Sequence, residues 1–302
     1  MTATVEQLVD LLDIRFKRIW DERFTNVPDK IGTFWNMQPT TQLTERFSSL
    51  GTFGDMEEFS GTIRYDDIYQ GYDTTTNVKE FAKGFAITRK LVEYDQTGHM
   101  DGKPKALAGA LYRKRQTDAA RPFNNAASVD GYFYNNTEAV ALVSNSHTTT
   151  SGASVASGFD NMTTAAFSAT SLAAARIQMV NFRGDRAERI SVNPTMIVHP
   201  VDLYQTVHEV TKSAGLPDSA YNNSNVHMGA YRTEEWIELS DVNNWFLVDP
   251  VMMKEYLIWM DKVKGEFAMI EDFDTLIAKW RCYSMYTQAV PEWRWILGGI
   301  VS

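Results

Sequence analysis

Five histidines (His99, His147, His199, His208 and His227) and one cysteine, Cys282, are the side chains of this chain best suited to nucleophilic or metal chemistry. No two of the histidines stand at a spacing that would bring them to one metal ion. His208 follows Tyr204 by four residues and precedes Glu209, the setting closest to acid–base chemistry. As a lone histidine on a helix it reads as a surface or capping residue. His199, before Pro200, reads as a strand-end residue, and His147, among threonines, as exposed. Cys282 sits in an apolar, strand-like run and reads as a small core residue; being alone, it excludes an intrachain disulfide.

The motifs GxGxxG, GxSxG, CxxC, HExxH and the Walker loop are absent. Gly298-Gly299 is followed by no helix, so it lacks the context for phosphate binding. Trp280, Tyr283, Tyr286, Trp293 and Trp295 could stack on bases, but they fall in apolar strands and read as core or interface. Arg183-Gly184-Asp185 reads as a turn. No catalytic residue, metal site or cofactor is expected, and a hydrolase built on His208 is the remote alternative.

The bulk numbers are those of an ordinary folded protein. With 302 residues, 44% hydrophobic and 22% charged, the chain can bury a sizeable core. A net charge of −9 opposes global affinity for nucleic acid or anionic membrane. No apolar run approaches membrane-spanning length, and the N-terminus is amphipathic rather than signal-like.

The elements that would position these residues centre on residues 101–127. Asp101 and Pro104 start a helix there, and Ala, Leu, Lys, Arg and Gln fill it. Pro122 is expected to kink or end it near Arg121. Lys103, Lys105, Arg113, Lys114, Arg115 and Arg121 make its expected solvent side basic, against only Asp101 and Asp118. Residues 1–24 predict an amphipathic helix through Leu12, Phe16, Ile19 and Trp20, with Ile14 on the other face. Residues 25–56 read as an extended arm. Residues 62–69 and 78–92 predict a long hairpin around a turn at 70–76, its first limb acidic at Asp55, Glu57, Glu58, Asp66, Asp67 and Asp73.

Residues 128–166 read as loop and 168–182 as a helix capped by Ser168 or Thr170. A strand at 195–198 precedes a helix from His199-Pro200 to about residue 213. Strands follow at 235–239, 245–248 and 257–260, and a strand pair spans 276–290 and 295–301 around Pro291. Helices and strands alternate without a βαβ rhythm, which predicts an α+β fold.

This order of parts resembles the major capsid (head) protein of tailed bacteriophages, the Hong Kong 97-type fold, and within it the Mu-like major head subunit group. The stretches that carry the likeness are GTIR at 61–64, FAITRKLVEYD at 85–95, RPFNNAASVDG at 121–131 and residues 133–147. MIVHPVDL at 196–203, WFLVDP at 245–250 and PEWRWILG at 291–298 complete it. It covers most of residues 55–302.

The resemblance implies an N-terminal arm (1–56), an extended hairpin or E-loop (57–92), and a peripheral domain with a long spine helix (93–134 and 271–302). An axial domain would take residues 135–270. It implies a structural protein that self-assembles into hexamers and pentamers of an icosahedral head around double-stranded DNA. Assembly would run in the host bacterial cytoplasm, with a separate scaffolding protein and a portal, and a cement protein could decorate the virion. An encapsulin-like shell is the alternative. Inter-subunit contacts are expected at Asp66, Asp67, Asp73, Lys79, Lys83, Arg113, Lys114 and Arg115, the acidic hairpin of one copy meeting the basic helix of the next. DNA-facing contacts are expected at Arg15, Lys17, Arg18 and Arg23.

Overall fold

The central helix forms over Gly102–Asn124 (α3), 23 residues and about 35 Å at 1.5 Å per residue. It belongs to a computed structural model that describes residues 5–26, 30–56, 58–63, 65, 67, 69–88, 90–91, 99–215, 224–272 and 277–301. Of the kink or end expected at Pro122, the end near Arg121 does not occur: the helix continues to Asn124. Proline has no N–H to give the carbonyl four residues back, that of Asp118. The side-chain amide of Gln288 donates to that carbonyl instead, at 2.7 Å in a buried setting. A bare buried carbonyl would cost about 1–3 kcal/mol, so a residue 170 positions away lets the helix run on.

The N-terminal helix forms over Val5–Asn26 (α1) and packs on α3. Its helical spacing puts Phe16 and Trp20 on one buried face, against Phe85, Phe267, Trp280, Leu107 and Leu111. Ile14 on the other face stays 68% exposed, so the helix docks on its own chain by one side only. Trp20 stacks on Phe24 at 5.0 Å and on Phe267 at 5.7 Å. Trp20→Ala is expected to destabilise the protein by about 3–5 kcal/mol, the usual cost of emptying a buried aromatic site, read as a lower urea midpoint. A short helix, Ile31–Phe34 (α2), follows.

Three sheets surround these helices. The first has the order β1 (Asn36–Pro39), β10 (Ile258–Asp272), β11 (Ile277–Ala289) and β4 (Lys79–Thr88). The second has β6 (Met162–Thr163), β12 (Ile296–Gly299), β9 (Trp245–Val248), β7 (Met196–His199) and β8 (Arg232–Glu235). The third has β2 (Arg46–Leu50), β3 (Gln70–Thr76) and β5 (Tyr134–Asn136). Helices Ala169–Val180 (α4), Tyr204–Lys212 (α5) and Pro250–Tyr256 (α6) follow, with short 3-10 turns at His99–Asp101 and Val201–Leu203. Ser168 caps α4 in a reciprocal capping box with Ser171.

The largest core cluster joins α3, through Ala119, Ala120 and Phe123, to Phe246, Val248 and Ile296 of the five-stranded sheet. It also takes in Trp259 and Tyr286 of the four-stranded one, so α3 ties the two sheets together.

Several strand expectations change. The stretch 70–76 is a strand and not a turn: Thr74 and Thr76 are buried, and β3 pairs antiparallel with both β2 and β5. Gly71 serves close approach rather than a bend, since a Cβ there would crowd the Ser49 hydroxyl. The strand expected at 62–69 is not formed by its described residues. The hairpin is therefore β2–β3 with its loop at 51–69, while β4 belongs to the body, paired with β11. The strand expected at 235–239 forms earlier, over Arg232–Glu235. β11 and β12 do not pair across Pro291; they lie in different sheets, and the segment around Pro291 carries the chain from one to the other.

Candidate assembly surfaces

The histidines do not converge on a site. His208 is exposed, its ring 6.1 Å from that of Tyr204. His199 is buried with Nδ1 2.9 Å from the Pro200 carbonyl, and burial lowers its pKa. His147, expected to be exposed, is buried; it stacks on Trp293 at 4.2 Å and lies 3.2 Å from Glu138. Its neighbours in sequence are polar, but its cover comes from a segment 146 residues later. Cys282 is buried, and burial pushes its thiol up to about 11, so it is a poor nucleophile. Among the described residues no three His, Cys, Asp or Glu side chains could share a metal ion. The Asp185 carboxylate of the Arg-Gly-Asp triplet accepts from Arg294 at 3.0 Å and is not free for a partner.

Half of the six basic side chains of α3 are used internally. Arg115, expected on the solvent side, is only 3% exposed. Its guanidinium grips Asp261 with two bonds, 2.7 and 2.9 Å, and lies over the rings of Trp259 and Tyr286. Lys114 donates to Asp118 at 2.6 Å and sits over Phe81. Arg121 pairs with Asp130. Lys103, Lys105 and Arg113 remain exposed. Between α3 and β4 runs an open cleft of about 470 Å³, with Phe81, Leu107, Leu111 and Cys282 in it and Lys83 and Arg113 among its polar lining. β4 is the outer strand of its sheet, and its lysines, Lys79 and Lys83, are the usual guards of an open strand edge. Lys79 lies over the Tyr132 ring.

The acids of the hairpin divide in the same way. Asp73 is buried at the hairpin root, where Arg46 pairs with it and Gln70 donates to it at 2.8 Å. The bond from Arg46 is the main reason its carboxyl falls from the ordinary 3.8 to about 2. A carboxylate with a depressed folded pKa adds stability that is complete above its unfolded value and lost as the pH falls through the folded one. The root should therefore loosen between about pH 4 and pH 2, seen as faster amide exchange in β2 and β3. Arg46→Gln should remove most of that acid step. Asp55, Glu58 and Asp67 are exposed, and Asp66 lies outside the described residues.

On α1, Arg15 pairs with Asp101 and Arg18 with Glu22, while Lys17 and Arg23 are exposed.

The surface that stands out is the loop itself. Phe53 (69% exposed), Met56 (103%), Phe59 (71%), Ile63 (64%) and Tyr65 (88%) are all turned to solvent within one short stretch. Single exposed apolar residues are ordinary, but five large ones in one loop suit a contact surface. Sequence reading put Ile63 and Tyr65 in the strand expected at 62–69 and singled out none of Phe53, Met56 and Phe59, which follow neither a helical nor a strand period. Their signal was apolar content amid glycine, serine and acids, with no pattern that could bury it locally.

A surface built to be covered is what a family comparison then explains. Residues 71–298 match the model of the phage capsid protein family. The chain belongs to that family. It is a structural capsid protein of the phage head, with the Hong Kong 97-type fold. Its structure is similar to the capsid of bacteriophage JBD30, at 14% identity over 72% of this chain and 92% of that one, TM-score 0.53. It is also similar to the mature capsid of bacteriophage PhiM1, at 9% identity over 90% and 86%, TM-score 0.58. A virus-like particle from Pyrococcus furiosus matches at 6% identity over 95% and 98%, TM-score 0.53. At these identities the likeness is one of fold. No curated protein matches the sequence.

Proposed function

We propose that this capsid protein is the major head subunit. Its copies assemble into hexamers and pentamers and close an icosahedral shell around double-stranded DNA. The observation that carries this reading is the apolar loop at 51–69, five large side chains that one copy leaves in water. Fully burying each would contribute about 1.5–3 kcal/mol, and repeated contacts of this kind become collectively firm in a closed shell.

The projecting hairpin is assigned to residues 46–76 rather than 57–92, because β4 is part of the body. The peripheral domain takes α3 with β4, β10 and β11, and the axial domain takes the five-stranded sheet. The loop of one copy, with Asp55, Glu58 and Asp67, fits the cleft between β4 and α3 of the next, lined by Lys83 and Arg113. Asp73, Arg115 and Lys114 serve the fold instead of that contact. Lys17, Arg18 and Arg23 on α1 meet the packaged DNA through nonspecific charge. A separate scaffolding protein and a portal act during assembly in the host cytoplasm, and a cement protein can join the finished shell.

Electron microscopy of the purified protein, with and without a scaffolding protein, tests the reading. Closed shells are the expected result. A monomer at high concentration under both conditions would overturn it. Particles that enclose protein cargo in place of DNA would favour an encapsulin-like shell.

A further inference from the structure

The loop is not free at its base, and the place that holds it is built for rigidity. Residues 184–188 form a tight turn closed by bonds from the Gly184 amide to the Glu188 carbonyl (2.9 Å) and from the Ala187 amide to the Gly184 carbonyl (3.0 Å). The Glu188 side chain folds back over it and accepts from the Arg186 amide at 2.9 Å. Glycine at 184 leaves room for that carboxylate, which a Cβ there would push aside. The turn is anchored from beneath. Arg294, 6% exposed, donates to the Arg183 carbonyl at 2.6 Å and pairs with Asp185, and the Asp185 carbonyl accepts from Thr149 at 2.8 Å.

Both flanks of the loop rest on this turn. On the outgoing side the Thr52 hydroxyl donates to Glu188. On the returning side Arg186 donates to the Asp67 carbonyl at 2.7 Å and lies over the Tyr69 ring. Lower down, Thr150 donates to the Gln70 carbonyl at 2.9 Å, and the hydroxyls of Tyr72 and Thr148 are 2.6 Å apart. None of these contacts covers Phe53, Met56, Phe59, Ile63 or Tyr65, which stay 64–103% exposed.

We propose that the 184–188 turn is a positioning seat that holds the two flanks of the loop and aims its apolar face away from its own subunit before another copy is met. Resting on the assembly reading above, the seat fixes in advance the loop conformation that docking would otherwise have to select. Preorganisation of this kind lowers the entropic cost of association. A contact that parked the loop in an inactive state would instead hide its apolar side chains, and this one leaves them exposed. Arg186 and Thr52 are thus positioning residues for assembly.

The test uses the full chain with Arg186→Ala and, separately, Thr52→Val, a near-isosteric change at an exposed site. Exposed polar contacts each shift an equilibrium about two- to fivefold. Chymotryptic cleavage at Phe53 and Phe59 of the unassembled subunit should accelerate about fivefold in Arg186→Ala and about twofold in Thr52→Val. Particle formation followed by light scattering should slow by similar factors, with unchanged thermal melting and particle shape. Unchanged cleavage in both variants would overturn the seat, whether or not the wild type assembles. Faster cleavage with unchanged or faster assembly would overturn its positioning role. Wild-type protein that never assembles would refute the shell reading while the cleavage comparison still decided the seat.

Discussion

Arg115→Ala is expected to remove about 3–5 kcal/mol of stability, a large part of the roughly 5–15 kcal/mol that a folded protein holds. The guanidinium is buried at 3% exposure and its carboxylate partner among the described residues is Asp261, which also accepts from Trp259 at 2.9 Å. Removing the cation leaves that carboxylate partly buried without its counter-charge, and it opens space beside Trp259 and Tyr286. Arg115→Lys keeps the charge but loses the two-pronged grip, so it should fall between wild type and alanine. Arg115→Met with Asp261→Leu should recover much of the loss, because replacing a buried pair together is far less costly than breaking it. Urea unfolding of the unassembled subunit measures all four proteins. A double variant no more stable than Arg115→Ala would mean that packing on the two rings, and not the ion pair, holds this junction.

The second large effect concerns assembly and leaves stability almost untouched. Phe53→Ser with Phe59→Ser should change the subunit's unfolding free energy by no more than about 0.5 kcal/mol, as exposed substitutions do. The same change should weaken each loop contact by about 3–6 kcal/mol, two phenyl groups at about 1.5–3 kcal/mol each. That corresponds to at least about a hundredfold loss in the association constant per contact. Melting curves that overlay the wild type, together with an absence of shells in micrographs, are the expected pair of results. Normal shells would show that the apolar loop is not what joins one copy to the next.

Charge reversal on α3 illustrates why sequence position alone misleads about contacts. Arg113 and Arg115 are two residues apart and equally basic, yet one is exposed and the other is buried. A helix turns about 100° per residue, so such neighbours point in very different directions. Which direction is the interior depends on where Asp261, 146 residues away, is placed. Reversing Arg113 therefore probes the surface, and reversing Arg115 would unfold the helix junction. Lys83→Glu with Arg113→Glu is the clean surface pair.

The helices show how much is legible locally. α1, α3 and α4 appear within a few residues of where spacing, helix propensity and capping residues put them. Strand existence was readable at 196–199, 245–248 and 277–289 from runs of β-branched and aromatic residues. Strand pairing was not. Gln70–Thr76 has the composition of a turn, and it is a strand because β2 and β5 flank it.

By itself the amino-acid sequence determined the α+β class, the long helix, the lack of catalytic motifs and the order of parts that resembles a phage head subunit. Those features rest on periodicity and residue chemistry within short windows. The tertiary structure alone decided which strands pair, which charges are consumed inside and which apolar side chains are left in water. Each of those outcomes depends on partners far apart in the chain, such as Gln288 beneath Pro122 and Arg294 beneath the 184–188 turn, and local pattern carries no information about them.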